Sequence, residues 1–174
     1  MTIPAFPPAF ADQSSHANAP TLLCESIAQV LRTRSWAMDA HSHGDLDQFF
    51  WINKGAGRVQ IDGVTRGFGP NTAIFIPAGA VHGFEFTPVS AGWAITLGHQ
   101  QAIPVELPQA PVITNLNTRE EQAIVTAICD EINREQSSDA VAKDTAMACQ
   151  AGLLSVWLRR HLERLAPQVA TENS

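Results

Sequence analysis

From about residue 34 to residue 97 the chain is a succession of short apolar or alternating runs, broken by Gly, Pro, Asn and Asp. The runs are WAMDAH, QFFWINK, GRVQID, TAIFIP, HGFEF and GWAITL. Asp62-Gly63 between two strand-like runs is a hairpin signal, because both residue types tolerate the positive φ angles of a tight turn. Lys54-Gly55-Ala56-Gly57 and Gly69-Pro70-Asn71 mark two further turns. Six to eight short strands at this spacing predict a sandwich or barrel, not alternating strands and helices.

After a proline-rich connector at residues 101–111 the pattern becomes helical. Thr118-Arg119-Glu120-Glu121 reads as a capping box, and Ile124, Ile128 and Ile132 form one apolar stripe behind it. Gln136-Ser137-Ser138-Asp139 ends this helix and starts another, which runs to about Leu165 and stops at Pro167. On the second helix Met147, Leu154, Trp157, Leu158, His161, Leu162 and Leu165 recur at helical spacing beside Arg159, Arg160, Glu163 and Arg164. That face either covers the barrel or pairs subunits. Residues 1–20 hold four prolines and sustain no regular element, so they read as an arm whose Ile3, Phe6 and Phe10 are apolar enough to lie against the body. The expected order is an arm at 1–20, a barrel at 21–111, a helical hairpin at 112–167 and a tail at 168–174.

Composition narrows the function classes. At 174 residues with 45% hydrophobic content the chain suits one domain with a real core. Its 17 acidic against 11 basic residues, a net charge of -6, oppose attraction to nucleic acid or to an anionic membrane surface. Cys24, Cys129 and Cys149 lack disulfide or zinc-knuckle spacing and read as small packing residues. With no apolar run long enough to span a bilayer and no signal-peptide pattern, a cytoplasmic location is expected.

Candidate chemistry lies in three of the six histidines. His41 and His43 at positions i and i+2 of a strand point to one side, so they converge on one point inside a barrel. His82, after Pro77-Ala78-Gly79-Ala80-Val81, completes a facial set suited to zinc or another divalent ion. Gln48, Phe50 and Ile52 share one strand parity, as do His82, Phe84 and Phe86, which predicts an aromatic-lined lumen with a few polar groups. Trp51 and Trp93 either wall that pocket or pack under the helices; Trp93 is retained among the candidate ligand residues. Arg58 and Arg66 are candidates for an effector carboxylate, although both sit on polar-alternating strands and read more readily as solvated. Glu85 has the outward parity, and His16, His99 and His161 read as surface or helix-face residues.

HSH, four residues, Gln48, six residues and Gly55 resembles the first cupin motif; GPNTAIFIPAGAVH, with Gly69, Pro77, Gly79 and His82, resembles the second. The resemblance implies a cupin (jelly-roll, double-stranded β-helix) barrel with two C-terminal helices, and a metal set of His41, His43 and His82. Metal-binding members carry Glu where this chain has Gln48, a weaker neutral ligand. A narrower resemblance covers HSHGDLDQFFWINKGAGRVQIDG, TAIFIPAGAVHGFEF and GWAITL, preceded by ESI and Trp36. These are similar to the effector-binding domain of arabinose-regulator (AraC) family transcription factors, in the branch that includes regulators of 4-hydroxybenzoate catabolism. That resemblance implies an aromatic-acid effector in the barrel and a homodimer through the helix pair. In that family DNA is contacted only through a helix-turn-helix domain, which nothing here matches, so the chain is expected to be the sensor half of a longer regulator in preference to a free-standing relative, and not an enzyme. Two alternatives stand beside it: a metal-dependent dioxygenase or isomerase on the same histidines, and a dimerisation module whose lumen is closed by Phe50, Phe84 and Phe86.

Overall fold

The computed structural model describes residues 22–98 and 105–171. The proposed arm at 1–20, with His16, and also His99, lie outside the described residues. A five-stranded antiparallel sheet has the order β1 (Leu22–Ser26), β8 (Ala91–Gly98), β3 (Leu46–Lys54), β6 (Thr72–Ile76), β9 (Val112–Asn115). It faces a four-stranded antiparallel sheet ordered β2 (Ala37–His41), β7 (His82–Phe86), β4 (Gly57–Ile61), β5 (Val64–Phe68). Short helix α1 (Ile27–Arg32) places Ile27 and Leu31 in the core between the sheets, while α2 (Arg119–Gln136) and α3 (Lys143–Thr171) pack against the outer face of the five-stranded sheet.

This layering explains the texture of the runs. QFFWI and TAIFI are almost unbroken because the five-stranded sheet is covered on both faces. Phe49, Trp51 and Phe75 enter the core shared with the helices, whereas Phe50, Ile52, Ile74 and Ile76 enter the core between the sheets. GRVQI and HGFEF alternate because the outer face of the four-stranded sheet meets water, where Arg58 pairs with Glu85 at 2.6 Å. The Asp62-Gly63 turn has φ of 47° and 82°, the double positive pair of a tight hairpin.

The N-cap half of the capping box forms, with Thr118 Oγ1 accepting the Glu121 N–H at 3.2 Å, while Glu121 Oε2 accepts the Thr118 hydroxyl at 3.0 Å. The predicted isoleucine stripe is shifted by one residue. Val125, Ile128, Cys129 and Ile132 are buried while Ile124 is exposed, because spacings of three and four follow a 3.6-residue turn better than a run of fours. Three further differences concern short or interrupted elements. Val112–Asn115, expected within the helical segment, is a strand that extends the sheet beside β6. Leu22–Ser26 and Ile27–Arg32 are a strand and a helix too brief to show a period. Helix α3 continues past Pro167 to Thr171, since a proline removes one backbone bond and can kink a helix without ending it.

Candidate metal and ligand site

Antiparallel pairing places His41, the last residue of β2, opposite His82, the first of β7. His43 lies beyond the strand end and not on it, yet the chain bends so that His43 Nε2 stands 2.9 Å from His41 Nε2. Ring centroids of the three imidazoles are 4.6 to 5.4 Å apart, and one potential ligand nitrogen from each lies within 4.8 Å of the others. The site sits at one end of the barrel, with His82 buried and His41 and His43 half-buried.

Two backbone carbonyls set the proton positions. His41 Nδ1 is 2.7 Å from the Asp39 carbonyl and His82 Nδ1 is 3.0 Å from the Ala80 carbonyl. A carbonyl only accepts, so each Nδ1 carries the proton and each Nε2 keeps its lone pair. This outer-shell arrangement orients metal-binding histidines. Burial, helped by neighbouring His41, pushes His43 down to about 4. Burial also pushes His82 down to about 4, against the Ala80 hydrogen bond and with the further push of His41 and His43. Both are neutral imidazoles at pH 7, the protonation state a metal ligand requires.

Gln48 reaches the site from the opposite sheet. Its amide lies 2.7 Å from His82 Nε2 and 3.4 Å from the Thr96 hydroxyl, the residue beside it on β8. With Nδ1 of His82 protonated, the amide face toward Nε2 is the NH₂ and its oxygen takes the Thr96 hydroxyl, an assignment made from the hydrogen-bond network. The donor set fits a divalent ion that prefers nitrogen, zinc among them: His41, His43 and His82 supply three neutral nitrogens, and Gln48 adds no charge.

Beneath the histidines the lumen is occupied by rings. Phe50 and Phe84 are each 2% exposed with centroids 4.5 Å apart, and Phe84 stacks on Phe86 at 5.2 Å. An apolar cavity between α1 and the sheets, lined by Leu31, Met38, Phe50 and Phe86 among others, measures about 10 Å³, room for about one water. The polar end borders the filled apolar part at Phe84, whose ring meets His82 edge-on with centroids 6.2 Å apart.

Trp93 is not in the lumen. It shares parity with Trp51, and both indoles point at α2: Trp51 Nε1 donates to Thr126 Oγ1 at 3.0 Å and Trp93 Nε1 to Asp130 Oδ1 at 2.9 Å. The alternation that sends Ala94 inward sends Trp93 to the helices. Arg58 is held by Glu85 on the outer face and Arg66 is exposed, so neither faces the histidines. His161, expected at a surface or helix face, is 3% exposed, stacks on Trp157 and meets Thr114 Oγ1 at 3.1 Å. Thr96 was not legible as a site group, because only the pairing of β3 with β8 brings it to Gln48; the Asp39 and Ala80 carbonyls lie two residues from His41 and His82, and the local backbone conformation turns them onto the rings. Of the cysteines, Cys24 and Cys129 are buried and Cys149 is exposed.

Residues 31–89 match the family model described as Cupin domain. No curated protein matches the chain. Among solved structures it is similar to KdgF from Halomonas sp., with 20% identity, a TM-score of 0.36, and coverage of 50% of this chain and 76% of that one. ToxT from Vibrio cholerae matches with 6% identity and a TM-score of 0.45 over 83% of this chain, which spans 57% of ToxT. An oxalate decarboxylase of Bacillus subtilis matches with 12% identity and a TM-score of 0.34, covering 47% of this chain and 22% of that one. Likenesses this remote bear on neither activity nor ligand. Among the described residues no helix is long and apolar enough to cross a membrane. The matched segment and its two facing antiparallel sheets make this fold a cupin, extended by two C-terminal helices.

Proposed function

We propose that this chain is a small-molecule sensor, the effector-binding and dimerisation domain of an AraC-type regulator, with an aromatic acid as effector and a divalent ion on His41, His43 and His82. The observation that carries the reading is the Gln48 amide placed against His82 within the histidine cluster. An amide neither lends charge to an ion nor moves a proton near neutral pH, so it suits binding better than turnover. A bound ion would supply positive charge for an effector carboxylate; the chain's own residues would supply the Phe84 ring wall, the Gln48 amide and the Thr96 hydroxyl. The motif resemblance to AraC-type sensors supports the same reading. Exposed Ile124 and Leu153 on the two helices are consistent with pairing of copies there.

The packed Phe50, Phe84 and Phe86 rings favour a second reading, a dimerisation module with a filled barrel. Native mass spectrometry before and after chelation, a thermal-shift panel of hydroxybenzoates and a turnover assay on the same sample separate the readings. A dimer stabilised by one aromatic acid without turnover supports the sensor. Turnover that depends on a retained metal overturns it in favour of a dioxygenase or isomerase, and a dimer indifferent to metal and acids favours the filled barrel.

A further inference from the structure

The loop Pro77–Val81 carries the chain from the five-stranded to the four-stranded sheet and delivers His82. It is held at both ends by carboxylates, one from each sheet. At its start the Ala78 N–H donates to Asp47 Oδ1 at 2.8 Å; Asp47 is on β3 and 2% exposed. At its end Asp62, in the β4–β5 turn, makes a reciprocal pair with Val81. Its Oδ1 accepts the Val81 N–H at 2.9 Å, and its own N–H donates to the Val81 carbonyl at 2.8 Å. Between these anchors the loop turns through Gly79 at φ +81° and closes with Ala80 N–H on the Pro77 carbonyl at 3.3 Å. The Ala80 carbonyl, one residue from the Asp62 anchor, is the group that meets His82 Nδ1.

We infer that Asp62 is a positioning residue for His82: it holds the Ala80–Val81 backbone, against the fixed anchor of Asp47, so that the Ala80 carbonyl keeps the proton on Nδ1 and the lone pair on Nε2, where a metal would take the place of the Gln48 amide. The loop has no regular ladder of its own; strand pairing begins only at His82, which is in register with His41 and Ile61, so the Asp62 side chain and backbone hold the residue just before the ladder. Partners one shell away from a ligand act by fixing tautomer and ring orientation, and losing one typically weakens metal binding about 10- to 100-fold. Asp62 makes no hydrogen bond to His82; its hydrogen bonds act through the backbone, while its charge also favours the protonated imidazole through space, a contribution that Asp62→Asn removes without removing the acceptor oxygen. The inference rests on His82 being a metal ligand, as in the proposed function.

The turn geometry supplies clean variants. Asp62 has φ 47°, which Gly and Asn both tolerate. Asp62→Gly removes the acceptor without straining the turn, and Asp62→Asn retains an acceptor oxygen. Long-range ¹H–¹⁵N correlation spectra of the metal-free full chain report the His82 tautomer, and a competition titration with a chromophoric chelator reports Zn²⁺ affinity. The wild-type chain and Asp62→Asn are expected to show His82 protonated at Nδ1. Asp62→Gly is expected to show both tautomers and a Zn²⁺ affinity weaker by about 10-fold. Unchanged tautomer and unchanged affinity in Asp62→Gly would overturn the inference. A wild-type chain that binds no Zn²⁺ overturns the metal part of the proposed function instead, and the tautomer readout still decides the role of Asp62.

Discussion

The amide of Gln48 meets Nε2 of His82 at 2.7 Å, linking the central strand of one sheet to the strand that delivers the third histidine from the other. Gln48 is neutral and reaches into the histidine cluster, so a charge at this one position would govern how firmly the three imidazoles could hold an ion.

Gln48→Glu adds a negative charge beside three neutral imidazoles, in a buried setting where charge interactions exceed their value in water. Zn²⁺ affinity is expected to rise by about 10-fold or more, read by chelator competition. An affinity that stays put or falls means that Gln48 is not beside the ion.

Glu25 sets a pH dependence of stability. Burial pushes its carboxyl up to about 7, opposed by Arg34, and its Oε2 has no hydrogen-bond partner among the described residues. The folded state holds this proton more tightly than the unfolded chain, whose glutamate titrates near 4.5. Its contribution is therefore complete below pH 4.5 and is lost as pH rises through about 7. Glu25→Gln should raise the melting temperature at pH 8 by a few degrees relative to wild type, with little difference at pH 4.5. An equal shift at both pH values in differential scanning calorimetry would rule out titration of Glu25 as the cause.

Trp93 ties β8 to α2 through Asp130, remote in role from the histidines. Trp93→Phe removes one hydrogen bond and is expected to cost about 1 kcal/mol in denaturant unfolding while leaving Zn²⁺ and effector binding unchanged. Weakened binding with unaltered stability would return Trp93 to the lumen.

Phe84 packs against Phe50, Phe68 and Phe86, so Phe84→Ala opens a cavity in the core between the sheets. A loss of about 3 to 5 kcal/mol is expected. If the effector lies at the histidine end against this ring, its thermal shift disappears in the variant; a retained shift places the effector elsewhere.

The strands were legible in the chain because strand periodicity is local: QFFWINK, TAIFIP and HGFEF read as strands and Asp62-Gly63 as a hairpin turn, while their division into two sheets and the covering of one by helices came from the structure. The histidine set was legible for the same reason, since a strand end and a Pro-x-Gly turn place their side chains within a few residues. Short elements were not: β1, α1 and β9 are too brief for a period to emerge, and they exist because neighbouring strands and helices complete them. The side chain of Gln136, for example, bonds both the N–H and the carbonyl of Cys24 on edge strand β1, at 2.7 and 3.0 Å, across 112 positions of sequence.

By itself, then, the sequence determined the kind of fold, which residues of a strand share a face and which imidazoles converge, because alternation and turn chemistry act over a handful of residues. Only the tertiary structure decided which of the two faces of β8 looks inward, sending Trp93 to α2, and which distant groups complete the site. Thr96 reaches Gln48, and the Asp62 anchor reaches the loop before His82, through pairings between strands far apart in the chain, and such pairings depend on register and sheet order, which no local pattern encodes.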